Sequence, residues 1–332
     1  MSFSSSRIDA FATCTQRYHF KYVEGLEPKV TAPELAFGSL WHEAMEAYYQ
    51  HRHNAYTHAL DALDEAWNRQ VCDLGNTGQL WDEDYQRMQE ELELLRGMLS
   101  HYDDYWGEAD RDMVILATEV SFRVPVIKPG GKRPVAYFTG VIDLVELDLE
   151  TGGIFIWDHK TVSSFGSSWF AQNSIDRQFR RYAWAYEKLT GKEVRGFCVN
   201  AARKKLPVPP RELKDGSPSK DKAQDTTYEL YMAELTKRNL DPADYTDILE
   251  HLKAKGNTFF ERDGFAFNEG EIAEVETELY WLYRRMIAKV PPVKTPSPLC
   301  TQIRSCPYRV LCVEDTPEAR MAFRSTREEM TV

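Results

Sequence analysis

Two short segments of the chain combine residue types that do chemistry: Asp143, and further along Asp158-His159-Lys160. In a β-strand alternate residues share a face, so Asp158 and Lys160 point the same way. Ile154 and Ile156 occupy the preceding positions of that face and mark it as apolar. A carboxylate and an ammonium at the end of an apolar face are costly unless they pair or bind a metal. With Asp143 on the preceding strand, two carboxylates converge. That suits a hard cation such as Mg²⁺ or Mn²⁺, beside which Lys160 would orient or deprotonate a water. The same spacing also fits a plain salt bridge at a strand end.

Other residues carry weaker signals. Glu119 would add a third carboxylate, but alternation groups it with Ser121 and Arg123, a set that a solvated face explains. His42 follows Gly38 in a helical pattern, off the apolar stripe. Gln178 and Tyr182 lie one helical turn apart and share a face, and Tyr182 also belongs to an apolar stripe. Among the six cysteines, Cys300, Cys306 and Cys312 cluster near the C-terminus. A reducing cytosol disfavours disulfides, so metal ligation is the leading reason for such clustering. Cys72 and Cys198 fall in helix and strand patterns and read as packed thiols.

The elements that must position these residues follow from periodicity. The first hundred residues read as helical. A capping box at Ser6 and Asp9 opens the first helix, Gly38 precedes a second with Trp41, Ala44, Met45 and Tyr48 on one stripe, and Tyr85, Met88, Leu92, Leu95, Leu99 and Tyr102 line a third. After Asp112 the pattern changes: Val120, Phe122 and Val124 alternate with Glu119, Ser121 and Arg123, and Ala136–Leu147 is rich in β-branched and aromatic residues. Strands are expected around Val120–Val124, over Ala136–Leu147 and, after the Gly152-Gly153 turn, over Ile154–Lys160. One long helix from about Ser168, carrying Ile175, Phe179, Tyr182, Tyr186 and Leu189, ends at Gly191, and Val194–Val199 is a fourth strand. This order describes a mixed α/β sheet with helices around it.

Beyond it, residues 203–227 read as a loop, locally basic through Arg203, Lys204, Lys205, Arg211, Lys214, Lys220 and Lys222, and are expected to form a phosphate-contacting lid. Two short helices follow, the second capped by Asp241 with Pro242 behind it. Asp263-Gly264 between aromatic residues predicts a hairpin. A helix bearing Ile272, Val275, Leu279, Leu282 and Met286 stops at Pro291-Pro292.

Composition sets the outer bounds. With 332 residues, 42% hydrophobic and 28% charged, the chain is globular, with the length of about two domains or of one with insertions. A balance of 41 basic against 52 acidic residues, net −11, argues against a protein that merely coats nucleic acid. No apolar run approaches the ~18 residues of a membrane span. The first residues lack a hydrophobic signal core, so a cytoplasmic location is expected.

In chain order, Gly38…His42, Glu119, Gly140-Val141-Ile142-Asp143, Asp158-His159-Lys160 and Gln178-Phe179-Arg180-Arg181-Tyr182 resemble the RecB-type branch of the PD-(D/E)xK nuclease superfamily. The opening Ser-Arg-Ile-Asp-Ala-Phe-Ala-Thr-Cys-Thr-Gln-Arg-Tyr is similar to that branch's N-terminal segment. There a cysteine joins three C-terminal ones around a 4Fe-4S cluster. The resemblance spans residues 4–313 except 203–270. It implies a divalent metal, Mg²⁺ or Mn²⁺, held by His42, Asp143, Asp158 and the backbone carbonyl of His159, with Glu119 assisting. Lys160 would position water and stabilise charge on the phosphate, and Gln178 and Tyr182 would place the strand or Lys160. Cys14, Cys300, Cys306 and Cys312 would hold the cluster, with structural zinc as the alternative. The first C-terminal gap here is wider than the branch's usual one, and Thr15 stands where proline is common.

The resemblance implies a restriction-endonuclease-like mixed sheet (113–202) with a helical N-terminal region (1–112), a basic and helical insertion (203–270) and a cluster-bearing C-terminal segment (271–332). The expected activity is exonucleolytic hydrolysis of DNA, at single-stranded ends, in recombination, repair or phage DNA metabolism. With no Gly-x-x-x-x-Gly-Lys-Ser/Thr motif in the chain, unwinding would need a recombination or helicase partner. Two rival classes are a non-catalytic DNA-end or partner-binding module with a structural four-cysteine metal site, and an iron–sulfur redox enzyme. Intact Asp143, Asp158 and Lys160 argue against the first. The second lacks a Cys-x-x-x-Cys-x-x-Cys or Gly-x-Gly-x-x-Gly motif.

Overall fold

A computed structural model describes residues 1–29, 33–51, 53–76, 82–268, 270–301 and 306–326. Parts of the C-terminal segment expected over 271–332 therefore lie outside the described residues. The chain opens with β1 (Ser2–Phe3), α1 (Ser5–Thr13), α2 (Thr15–Tyr18) and β2 (Leu26–Pro28). Three long helices follow: α3 (Pro33–Gln50), α4 (Ala55–Asn76) and α5 (Asp82–Asp110). The centre comprises β3 (Val114–Ile127), β4 (Pro134–Leu147), β5 (Ile154–Val162), α6 (Ser167–Ile175), α7 (Arg177–Thr190) and β6 (Val194–Arg203). Then come α8 (Tyr228–Lys237), α9 (Thr246–Lys255), β7 (Phe260–Ala266), α10 (Val275–Met286), α11 (Arg309–Val313), α12 (Pro317–Arg320) and β8 (Phe323–Ser325).

Among the described residues six strands make one mixed sheet, in which the short β1 runs parallel to β4. β3 and β4 form a long antiparallel hairpin, β4 pairs antiparallel with β5, β5 runs parallel to β6, and β7 closes the far edge antiparallel to β6. The parallel step needs a crossover, and α6–α7 supply it. Alternation explains why the sheet is covered on both faces. Phe122, Val124, Phe138, Ile142, Ile156, Phe197 and Val199 bury against α7 and α10 residues such as Phe179, Ala183, Trp184 and Leu279. Leu144, Trp157 and Cys198 bury instead with the α3–α5 stripes, among them Trp41, Met45, Leu92, Leu95 and Tyr102. Two apolar layers thus clamp the sheet.

Several sequence expectations change. The first helix is capped by Ser4, whose side chain accepts the Arg7 N–H, not by a Ser6–Asp9 box. α3 starts at Pro33, so Gly38 lies inside it. The long helix from Ser168 is two helices. Asp176 is extended (ψ 121°) and its carboxylate accepts the Gln178 N–H, starting α7 afresh and leaving Ile175 exposed. The Asp263-Gly264 hairpin is absent: β7 runs straight through both residues because β6 offers an open edge, with Cys198 opposite Gly264. That strand, inside the stretch 203–270, belongs to the central sheet. Between β6 and β7, α8 and α9 have a small core of their own around Tyr231, Leu235, Ile248 and Leu252. Asp241 does cap the turn leading into α9. Cys72 is exposed, not packed, whereas Cys198 is buried. Among the described residues, no helix is long and apolar enough to cross a membrane.

The basic 203–227 segment departs furthest from the lid expected of it. Arg203 and Lys205 share Asp225, Arg211 faces Asp221, Lys222 pairs with Asp247, and Lys220 donates to the Asp244 carbonyl while lying 4.7 Å from the centre of the Tyr245 ring. Arg203, Lys205 and Arg211 thus pair with carboxylates inside the segment, and Lys220 and Lys222 tie it to the turn and helix that precede β7.

Candidate active site

The register of three strands builds the site. Thr118 pairs with Leu144 and Val120 with Ile142, which sets Glu119 directly across from Asp143. On the other side of β4 the ladder's last pair is Leu144 with Trp157. One step further, Asp143 would face Asp158, and there the strands part. Asp143 Oδ2 accepts the His159 N–H at 2.7 Å, taking over the role of a ladder carbonyl. Glu119, Asp143 and Asp158 thus stand in a row across β3, β4 and β5. Like charges set directly opposite one another destabilise a sheet, so this row needs a compensating cation.

The backbone carries strain at the same place. Glu119 has φ +46°, left-handed backbone inside a strand, which costs a β-bound glutamate ~1–3 kcal/mol. Such a kink re-aims the side chain, and it explains why simple alternation misassigns this residue to a solvated face.

Helix α3 supplies the nitrogen. His42 Nδ1 lies 3.3 Å from Asp143 Oδ2, and the ring also hydrogen-bonds the His159 backbone. Burial lowers the His42 pKa against the opposing pull of Asp158 and Glu119, so the ring is neutral and its lone pair is available to a metal. One ligand atom each of His42, Glu119 and Asp143 lie within 4.8 Å of one another. Burial, then Asp143 and then Glu46, raise the Glu119 carboxyl to about 7. Burial and then Asp158 push Asp143 up as well. Carboxylates that resist ionisation beside a neutral imidazole form the donor set a hard divalent cation satisfies, and the residues fit such an ion.

Lys160 and α7 complete the row. Lys160 Nζ donates to Asp158 Oδ1 at 2.8 Å and lies 2.6 Å from Oδ2, and Gln178 Nε2 reaches Oδ1 at 3.3 Å. Burial opposes the Lys160 charge, but Asp158 and Asp143 outweigh it and keep an ammonium there. Burial, with the charges of Asp158 and Asp143, holds the Tyr182 phenol protonated. Its ring packs edge-on against Phe122 at 5.2 Å. Gly140 makes room for both rings: a Cβ there would lie 2.5 Å from Phe122 Cζ and 3.1 Å from Tyr182 Cε1. The structure therefore brings His42, Glu119, Asp143, Asp158, Lys160, Gln178, Tyr182 and the His159 backbone to one end of the sheet.

The His159 side chain leads elsewhere. It is buried, and its Nδ1 lies 3.1 Å from Asn200 Nδ2. Asn200, Tyr102, Tyr49, Asp110 and Arg262 form a polar network behind the site that sequence reasoning missed. They come from four elements, α3, α5, β6 and β7, and Tyr102 reads as part of a core stripe.

The cysteines form a different region. α11 and the β2–β8 pair enclose Phe20, Leu26, Tyr308, Leu311 and Phe323, with Cys306 and Cys312 against them. Thr15 and Cys14 reach the Val293 carbonyl, tying the chain's two ends together. Burial raises the Cys306 and Cys312 thiols, and the nearby Cys14 and Cys300 add to it. Among the described residues, however, no three of these sulfurs lie within 4.8 Å of one another, so the expected cluster arrangement is not formed as such.

Carboxylates, a neutral imidazole and an ammonium at the parted edge of a mixed sheet define a site for a hard cation. The family model of the PD-(D/E)XK nuclease superfamily matches residues 2–313, and the chain belongs to that superfamily. Its nucleases use divalent metals, and the family implies a DNA substrate. No curated protein sequence matches the chain.

Raised carboxyl pKa values fix the sign of one pH effect. Glu119 binds its proton more tightly folded, near 7, than unfolded, at ~4.3. Its stabilising contribution is complete below the unfolded value and is lost as pH rises through about 7. In EDTA, Glu119→Gln should therefore gain melting temperature over the parent chain, and the gain should be larger at about pH 8 than at about pH 5. A gain that does not grow between those pH values would contradict the electrostatic picture of the row.

Proposed function

We propose that this chain is a metal-dependent deoxyribonuclease of the RecB-like branch, acting as an exonuclease on single-stranded DNA ends in recombination, repair or phage DNA metabolism. The observation that carries the reading is the row Glu119–Asp143–Asp158 with His42 beside Asp143 and Lys160 at the Asp158 end. His42, Asp143, Asp158 and the His159 carbonyl would hold Mg²⁺ or Mn²⁺, with Glu119 assisting directly or through water. The bound cation supplies acidified water and neutralises phosphate charge.

The chain's own residues do the rest. Lys160, kept as an ammonium by Asp158, offers preorganised positive charge where the scissile phosphate becomes more negative. It also orients the attacking water by hydrogen bonding. Gln178 donates to the same Asp158 oxygen as Lys160, and Tyr182 offers a phenol O–H near it. α3 and α7 stand on opposite flanks of the row, so the strand is presented between two helices. That geometry favours a flexible single strand entering from its end. DNA unwinding would fall to a helicase or recombination partner.

Asp158→Ala and Lys160→Ala should each lower cleavage of end-labelled DNA in Mg²⁺ or Mn²⁺ by at least ~100-fold, with the circular dichroism spectrum unchanged. EDTA should abolish the parent activity. Linear single strands should be degraded and covalently closed circles of the same sequence spared. Equal rates on the two would make the enzyme an endonuclease, and activity surviving both substitutions would remove the catalytic assignment.

We further propose that Cys14, Cys300, Cys306 and Cys312 hold a 4Fe-4S cluster that staples the two chain ends. Support comes from the closeness of Cys14 and Cys300 to both Cys306 and Cys312 and from the Cys14–Val293 contact. A four-iron cube also spaces its thiolates more widely than a single zinc ion does. Anaerobically purified protein should contain iron and acid-labile sulfide, and Cys306→Ala should lose both together with thermal stability. Stoichiometric zinc without sulfide would show a structural zinc site instead.

A further inference from the structure

The buried network behind the site is larger than packing requires. The His159 ring, 2% exposed, stacks on Tyr49 with centroids 5.3 Å apart and planes 5° apart. Its edge meets His42 at 6.3 Å and 73°. His42 and Tyr49 lie two turns apart on α3, so one ring of β5 grips that helix at two points. Asn200 Nδ2 holds His159 Nδ1 at 3.1 Å and donates to the Tyr102 hydroxyl at 2.7 Å. Tyr102 and Tyr49 hydroxyls are 2.7 Å apart, and Tyr49 donates to Asp110 Oδ2 at 3.2 Å. Arg262 Nη2 closes the chain on Asp110 at 2.6 and 2.8 Å and on Tyr102 at 2.9 Å. The guanidinium itself lies 4.0 Å from the centre of the Trp106 ring.

Asn200 Nδ2 meets His159 Nδ1 at 3.1 Å, while His159 Nε2, also buried, has no partner among the described residues. The same residue's backbone N–H holds Asp143, and its backbone accepts from His42. Moving the ring moves both.

We infer that His159 is a positioning residue: its ring, fixed through Asn200 and Tyr102 to the Asp110–Arg262 pair, docks α3 onto β5 and so sets how tightly the acidic row and His42 hold a divalent cation. This rests on the metal-site reading above and extends it to side chains that touch neither metal nor DNA. Outer hydrogen bonds of this kind are worth about tenfold or more in metal affinity.

The test reads Mn²⁺ binding directly, by electron paramagnetic resonance, in the full chain. The parent should bind one tight ion that Asp143→Asn loses. Tyr102→Phe and Asn200→Leu should weaken that ion about tenfold, while cleavage at saturating Mn²⁺ stays close to the parent's. Tyr48→Phe removes another tyrosine hydroxyl, bonded to Asp103 at 2.8 Å outside the chain of bonds, and should lower melting temperature without changing Mn²⁺ affinity. Unchanged affinity in both network variants, or an equal loss in Tyr48→Phe, would overturn the inference and leave the metal site standing. A tight ion that survives Asp143→Asn would overturn the metal-site reading and the inference with it.

Discussion

Three carboxylates stand side by side across three neighbouring strands, and the protein is arranged around their mutual repulsion. A sheet does not ordinarily tolerate Glu119, Asp143 and Asp158 in one row. Here the β4–β5 ladder opens at that row, Asp143 takes the His159 amide in its place, and Glu119 adopts a left-handed backbone. Lys160 balances one end, yet both Glu119 and Asp143 still resist ionisation. What remains uncompensated is the charge that a bound divalent cation brings.

Holding a repulsive row in place needs rigid surroundings. One apolar layer joins the sheet to α7 and α10, and a second joins it to α3–α5. The two layers meet the row from opposite sides and deliver Gln178 and Tyr182 from one, His42 from the other. Local rules bring them to it. Asp176 restarts the helix one residue ahead of Arg177, which puts Gln178 at its first turn. Gly140 leaves the space that the Tyr182 and Phe122 rings occupy. Buried polar groups behind the sheet tie α3, α5, β6 and β7 to His159, so the helix that carries His42 is keyed to the strand that carries Asp158.

Much of this was legible in the amino-acid order. Alternation over Val120–Val124 and the β-branched and aromatic content of Ala136–Leu147 mark strands, and the stripe of α5 survives intact, because these signals depend only on local spacing and burial. Asp143, Asp158 and Lys160 stand out since charged groups at the end of apolar strands demand a partner. Glu119 was less legible: its position depends on a backbone kink that alternation cannot register. The Asp263-Gly264 turn signal lost to pairing with an open strand edge, a tertiary effect. The basic excess of 203–222 misled because its counter-charges, Asp225 and Asp247, lie outside that window. The Asn200–Tyr102–Asp110–Arg262 network was invisible, since no spacing rule links residues from three elements that meet only in the folded chain.

The most direct measurement is anomalous diffraction from crystals grown with Mn²⁺ and without DNA. One strong peak is expected among His42 Nδ1 and the carboxylates of Asp143 and Asp158, at the ~2.0–2.3 Å expected for nitrogen and oxygen ligands, with Glu119 bound directly or through water. Ordered Mn²⁺ found only elsewhere, with the row left to Lys160 alone, would contradict the reading of these carboxylates as a metal centre.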